Sequence, residues 1–533
     1  MLTQTRSKPD VVLLPLIAAL TIRLLLTLYW IGRYSGYWIE GDTSRTTSTI
    51  LATLNSGLLY SDTGRTYSNG FGYQVYAAIV AQLSAVDVNF LQLWIFPFMG
   101  LVVTLIAFAF YYRALNNAPI AGLAATFLGL QADLLFTTNR GTHEKLIFIF
   151  ILVALMAIGL ALTAFESMAW RAGLALVYYL AMFGLASTNV FFSSSFIATL
   201  ILAVIGWMLL TRSTTLRGIR VTWLIYLAAV CFIFVILIVF FIYPPSVGFV
   251  SQTRNLLDRL LLFLSPHRSE SSGLVYSSAD WAWIIPFSWL FLRLFDFFVL
   301  GLAALGWLYL AWQIFRRTRI LDHISTALFW LIILLPAFAV QNAFSIVSDL
   351  SSSSGSFNNL QIRLAPLTIL IAAPFAAYTF LSILRWLLVR RGYLRMVFTL
   401  CIVMVMFTTM ALLKSTSEPL LSNTWLFYAP AEAQSVEWLN SHISLMTRDN
   451  GLRTPRVWAG PDFRIGELWL NNFWGQNRAS VPVVSSPTER FNYVLSSPVT
   501  QAQTSRLREA FPDVTSANRI YDNGSTQLYL TGR

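Results

Sequence analysis

Apolar runs of about twenty residues, the length a helix needs to cross a bilayer, recur from Val11 to Leu413 and leave room for little but a polytopic membrane domain. Eleven can be placed, at 11–31, 91–112, 119–137, 146–165, 172–189, 192–211, 221–243, 294–315, 324–347, 364–388 and 396–413. Composition agrees: 11% of the 533 residues are charged, against roughly a quarter in soluble domains. Past Ser415 the long runs stop. Ala431–Ile443 reads as a helix, followed by strand-like pieces at Arg456–Ala459, Val481–Val484, Tyr493–Leu495 and Gln527–Leu530, with Thr504–Phe511 as a second helix. The expected fold is an α-helical polytopic membrane protein over 1–414, followed by a small α/β domain over 415–533.

Arginine placement orients the bundle. The net charge is +12, yet residues 415–533 hold ten acidic and ten arginine side chains, so the whole excess sits in the membrane part. That distribution argues against nucleic acid as a partner and for loops that face a membrane surface or an anionic ligand. If the N terminus with Arg6 and Lys8 is inside, the inside connections carry Arg113, Arg171, Arg212/Arg217/Arg220, Arg316/Arg317/Arg319 and Arg390/Arg391/Arg395, as the positive-inside rule requires. The same parity puts outside the loop 32–90, the stretch Asn139–Lys145, a turn at Phe191, the loops 244–293 and 348–363, and the C-terminal domain. It requires Phe71–Val86, interrupted by Gln74 and Gln82, to be an interfacial helix rather than a span. No small-residue cleavage pattern follows the first apolar run, so Val11–Ile31 is read as a retained span. Cys231 and Cys401 both lie inside apolar runs, which leaves no disulfide framework and no cysteine metal site.

The outer loops concentrate chemistry. Asp42, in Glu40-Gly41-Asp42-Thr43, precedes a polar helix Thr43–Leu54, where a carboxylate serves either as a cap or first-turn acid or as a general base or metal ligand. Glu40 and Arg45 flank it. The second loop, Thr137–Lys145, packs Arg140, His143, Glu144 and Lys145 between two apolar runs. Arg140 and Lys145 suit a phosphate, while His143 and Glu144 suit proton transfer or metal ligation; the alternative is interfacial anchoring. In the third loop Arg254, Asp258 and Arg259 lie on an amphipathic stretch Asn255–Leu264 followed by His267, a pattern that fits a lid over a lipid headgroup or a surface anchor. Asp296, just inside the next span, is unusual enough to count as a candidate partner for Arg293. Arg363 opens a span broken by Pro366 and Pro374, where a guanidinium holds a phosphate bidentately or snorkels. In the tail Trp469 and Trp474 with Asn471, Asn472 and Gln476 suit either a carbohydrate surface or packing. There is no Walker loop, GxGxxG, HExxH or GxSxG, so ATP-driven chemistry is not encoded.

The order of these elements resembles the GT-C superfamily of membrane glycosyltransferases that use polyprenyl-phosphate sugars, of the mannosyl- and aminoarabinosyl-transferase kind. The resemblance rests on Asp42 soon after the first span, the interfacial segment Tyr67–Val86, the Arg140–Lys145 stretch, Arg363-Leu364-Ala365-Pro366 and the soluble tail. The chain departs from relatives in having Ser68-Asn69-Gly70 where a Pro-Pro pair is common, and in lacking the WWDxG signature of oligosaccharyltransferases. The resemblance implies Asp42 and Glu144 as catalytic acids or ligands of Mg2+ or Mn2+, and Arg363, Lys145, Arg140 and His143 around the donor phosphate. Glu40, Arg45, Arg259 and His267 then belong to a lid or acceptor side. It further implies a polyprenyl-phosphate sugar donor, a glycan, lipid or protein acceptor, and the cytoplasmic membrane. Two rivals from other classes are a flippase of lipid-linked saccharides, for which no paired repeat is visible, and a non-catalytic subunit of a cell-envelope glycan assembly.

Overall fold

The computed structural model describes residues 9–34, 41–59, 67, 69–163, 168–211, 229–247, 286–316, 326–350, 360–388 and 393–415. Of the C-terminal part it describes 434, 438, 442, 457–458, 483–484, 493–496, 518–523 and 527–530. Helices follow the apolar runs: α1 (Pro9–Tyr34), α2 (Gly41–Ser56), α3 (Gly72–Ser84), α4 (Val88–Leu115), α5 (Ala118–Leu130), α6 (Ala132–Asn139) and α7 (Glu144–Thr163). Then come α8 (Met168–Thr188), α9 (Val190–Thr211), α10 (Ala229–Ile242), α11 (Pro286–Arg316), α12 (Thr326–Leu350), α13 (Leu360–Leu388) and α14 (Tyr393–Ser415). Among the described residues six of these are long and apolar enough to cross a membrane, seven if the bent pair α5–α6 is one span.

That bent pair covers the span expected at 119–137, with a break that was not expected. The chain turns by 70° between α5 and α6, at Gln131, whose extended backbone (ψ 117°) ends one helix while its side-chain oxygen accepts Leu134 N–H at 2.6 Å and caps the next. A broken helix in a membrane protein is tolerated where protein buries the freed backbone, and Gln131 is fully buried. Its amide nitrogen also reaches Asp133 at 3.2 Å and Asp296 at 3.3 Å.

Two other interruptions obey the same rule. Pro336 and Pro374 lack the N–H that would bond the carbonyls of Ile332 and Leu370 four residues earlier. Neighbouring helices supply the donor instead: Trp307 Nε1–H reaches Ile332 O at 2.7 Å, and the Tyr111 hydroxyl reaches Leu370 O at 2.6 Å. Small residues let helices close on each other, as membrane interfaces require. A Cβ on Gly122 would lie 2.9 Å from Pro15 O, and one on Gly306 2.7 Å from Phe375 O.

The expected interfacial helix is α3. Its Tyr73, Gln74, Ala77, Ala78 and Ala81 are buried, while Tyr76, Ile79 and Leu83 are exposed. At 13 residues it is too short to span, and an amphipathic helix with an apolar outer face belongs at a headgroup boundary. In the C-terminal part the four expected strands form, together with one not foreseen, β4 (Asn518–Asp522). With β1 (Val457–Trp458), β2 (Val483–Val484), β3 (Tyr493–Ser496) and β5 (Gln527–Leu530), the sheet order is β2-β1-β3-β5-β4. β1 runs parallel to β2 and β3, whereas β5 is antiparallel to β3 and β4. The helix expected at Thr504–Phe511 and the tryptophans Trp469 and Trp474 lie outside the described residues.

Candidate active site

The stretch from Arg140 to Lys145 is a buried knot. Arg140 ends α6 in an extended conformation, its N–H still bonded to Phe136 O at 3.1 Å. Its carbonyl then accepts both Thr142 N–H at 2.9 Å and the Lys145 ammonium at 2.7 Å. Arg140, Thr142, His143, Glu144 and Lys145 are all buried, Lys145 completely. Interfacial snorkelling is excluded for them, because a snorkelling side chain keeps its charge in water. Glu144 accepts Arg140 on one carboxylate oxygen and the Thr142 hydroxyl on the other. The Lys145 ammonium lies 5.8 Å from the ring centroids of both Tyr73 and Phe96, a cation–π setting.

His143 faces a polar cluster from other elements. Asn189 sits between α8 and α9, which moves the expected turn from Phe191 to Asn189, the residue whose side chain can cap. Its Oδ1 accepts Phe192 N–H at 3.1 Å and so orients the amide nitrogen toward His143 Nε2 and Tyr67 Oη, each 3.0 Å away. His143 Nε2 therefore accepts, and its Nδ1 proton faces Glu144 at 4.0 Å. Tyr67 is 3.1 Å from the same Nε2, and its carbonyl is held by the Tyr243 hydroxyl at 2.9 Å.

The first loop is pinned here by backbone. Phe71 N–H bonds Ser187 O at 2.7 Å, and Val190 N–H bonds Asn69 O at 2.8 Å. Gly70 and Gly72 are required for that approach: a Cβ on Gly72 would lie 2.7 Å from Ser187 Oγ, and one on Gly70 would strike the Thr188 carbonyl. Thus Asn69–Gly72, which begins within the departure from the Pro-Pro pattern, serves as a backbone clasp.

Asp42 is the second residue of α2, a first-turn position rather than the cap. Its neighbour Thr43, fully buried, accepts Gly141 N–H on Oγ1 at 3.2 Å. Asp42 and the knot thus belong to elements in direct contact. Arg45 also lies on α2, and Arg363 is the fourth residue of α13; the side chains of Asp42, Arg45 and Arg363 are not among the described ones. Glu40, Arg259 and His267 lie outside the described residues, as does the amphipathic stretch Asn255–Leu264.

Sequence reasoning missed Arg23, which is buried in the middle of α1. Its Nη2 donates to Asn139 Oδ1 at 2.9 Å and to the Thr138 hydroxyl, tying α1 to the residues just before the knot. A charge halfway along an apolar run was the available signal. Gln92, which accepts the Tyr73 hydroxyl at 2.6 Å, was missed too.

The described part of the expected donor set is His143 and Glu144. Among the described residues no three His, Cys, Asp or Glu side chains come together. The Glu144 carboxylate is also committed to Arg140 and Thr142.

No known protein-family profile matches the chain, and no curated protein matches its sequence. Solved structures do match. The apo oligosaccharyltransferase of Archaeoglobus fulgidus superposes with a TM-score of 0.56 at 13% identity, over 92% of this chain and 70% of that one. The archaeal oligosaccharyltransferase AglB of the same organism, in complex with an inhibitory peptide and a dolichol-phosphate, gives 0.55 at 13% identity, over 91% and 69%. ArnT from Cupriavidus metallidurans, bound to undecaprenyl phosphate, gives 0.50 at 14% identity, over 96% and 97%. The chain has the GT-C fold. The resemblance drawn from sequence order is borne out at the level of fold.

Proposed function

We propose that this protein is an integral membrane glycosyltransferase that moves a sugar from a polyprenyl-phosphate carrier to an acceptor hydroxyl. The contact between Thr43 and Gly141 carries this reading, because it brings a first-turn carboxylate position to the edge of a buried cationic knot. In the proposed reaction Asp42 takes the proton of the acceptor hydroxyl, and that oxygen attacks the anomeric carbon from the face opposite the leaving phosphate. The bond from the anomeric carbon to the phosphate oxygen breaks with its electron pair on the phosphate, so configuration inverts. Lys145, with Arg140 and Arg363, offsets the charge that gathers there. Glu144 keeps Arg140 in place, and the His143–Asn189–Tyr67 cluster holds the first loop against the knot. Catalysis faces the extracytoplasmic side of the cytoplasmic membrane, with the N terminus inside, and the division at 414/415 separates the catalytic bundle from an outside α/β domain. The undecaprenyl and dolichol phosphates of the GT-C neighbours support a lipid-phosphate donor.

The test is release of polyprenyl phosphate from a panel of polyprenyl-phosphate sugars by the purified protein, comparing wild type with Asp42→Asn, with and without EDTA. Loss of turnover in a folded Asp42→Asn protein is the expected result. Donor consumption unchanged by Asp42→Asn would remove Asp42 from the chemistry. No consumption of any donor would favour the flippase or assembly-subunit readings. Loss of turnover in EDTA would show that a cation takes part.

A further inference from the structure

Three cations are buried at the knot, and among the described residues one of them has no carboxylate partner. Arg23, Arg140 and Lys145 are each at most 4% exposed, and Glu144 is the carboxylate among them. Glu144 is taken by Arg140. Among the described residues no carboxylate pairs with Arg23, and Lys145 has a backbone carbonyl and two rings as partners. Among the described residues Lys145 thus shares Glu144 with Arg140, and Arg23 has no carboxylate, which in a low-dielectric interior is unfavourable unless a ligand brings an anion.

The hydrogen-bond inventory points the same way. Arg23 Nε and Nη1, Asn139 Nδ2 and Gln92 Nε2 are buried and bond no protein atom. All four are donors. Arg23 bonds Asn139, and Gln92 Oε1 lies 3.0 Å from where a Cβ on Gly141, two residues after Asn139, would be. Water would satisfy the donors but not the charge. An oxyanion satisfies both.

We propose that Arg23, with Asn139 and Gln92, binds the oxygens of the leaving phosphate and matches its charge after transfer rather than before. This rests on the reading of the chain as a polyprenyl-phosphate-dependent transferase. The donor is a phosphodiester with one negative charge. When its bond to the sugar breaks and the electron pair stays on the phosphate oxygen, a monoester approaching two negative charges is left, while the acceptor proton goes to Asp42. A guanidinium that no described carboxylate pairs favours that second state, and such differential binding lowers the barrier instead of tightening the ground-state complex. Arg23 therefore acts on kcat more than on KM.

The experiment uses the full-length protein in nanodiscs and measures affinity for polyprenyl phosphate, for its methyl diester, for neutral polyprenol and for inorganic phosphate, in wild type, Arg23→Lys and Arg23→Met. The expected result is a loss of about tenfold or more in polyprenyl phosphate affinity for Arg23→Met, the scale of one charge-assisted hydrogen-bond set. The diester should lose much less, polyprenol should be unchanged, and Arg23→Lys should fall between. In turnover, Arg23→Met should lower kcat with KM for the donor nearly constant. Equal monoester affinity in wild type and Arg23→Met overturns the proposal, as does an equal loss for monoester and diester. Binding of inorganic phosphate that depends on Arg23, without binding of polyprenyl phosphate, keeps the oxyanion site and removes the lipid-donor reading. Binding of neither phosphate removes both. If Arg23→Met fails to fold, Gln92→Leu carries the same comparison.

Discussion

The hydroxyl of Thr43 accepts the backbone N–H of Gly141 at 3.2 Å, joining the helix that carries Asp42 to the knot that carries Glu144 and Lys145. Gly141 is what permits this. A Cβ there would lie 2.6 Å from Thr43 Cγ2 and 3.0 Å from Gln92 Oε1. Gly141→Ala is expected to push α2 off the knot and to cut turnover by up to about a hundredfold, the cost of a misplacement near 1 Å between reacting groups. The overpacking should also cost about 1–3 kcal/mol of stability, so kcat is compared at a temperature where both proteins are folded.

The Arg140–Glu144 pair predicts a different signature. Both side chains are buried, and removal of one partner from such a pair leaves a charge uncompensated at a cost of about 3–5 kcal/mol. Glu144→Gln should therefore lower the unfolding midpoint sharply. Arg140→Met combined with Glu144→Gln should recover much of that stability while leaving turnover low. A double-mutant cycle on thermal unfolding checks the coupling, and additive losses would mean that the two groups do not depend on each other.

Apolar run length made the bundle legible because each span must satisfy its own backbone in lipid, and that demand is written as about twenty apolar residues. It did not reveal the break at 119–137, where Gln131 looks like one polar residue in an apolar run but both ends α5 and caps α6. The knot was legible because charged residues rarely crowd a short loop without reason. Its burial was not, since burial depends on α1, α2 and α3 closing over it. Arg23 was masked by the apolar run around it, and its partners Thr138 and Asn139 are 115 and 116 residues away in sequence. The clasp at Asn69–Gly72 was hidden for the same reason: its partners are carbonyls and amides at the α8–α9 junction, and backbone groups leave no trace in composition.

Gly100 gives a test of how firmly Arg23 is placed. A Cβ on Gly100 would lie 2.6 Å from Arg23 Nε and 2.7 Å from Cζ. Gly100→Ala should displace the guanidinium, weaken its hold on Asn139 and lower stability by about 1–3 kcal/mol, as overpacking does. In an Arg23→Ala background the same change should be nearly silent. Equal costs in both backgrounds, read from thermal unfolding, would show that Arg23 is not what Gly100 makes room for.

The prolines inside α12 and α13 yield a prediction about the scaffold that can be separated from the site. Pro374 cannot donate to Leu370 O, and the Tyr111 hydroxyl on α4 does so at 2.6 Å. Tyr111 is fully buried, so Tyr111→Phe strands a buried carbonyl and should cost about 1–3 kcal/mol. Pro374→Ala restores a backbone N–H within reach of Leu370 O. The Tyr111→Phe cost should therefore shrink when both changes are combined, in a double-mutant cycle on thermal unfolding. Trp307 and Pro336 form the equivalent pair between α11 and α12, where Nε1 meets Ile332 O at 2.7 Å, and the same cycle applies. If Tyr111→Phe costs as much in the Pro374→Ala background as it does in the wild type, the hydroxyl is not standing in for the missing amide.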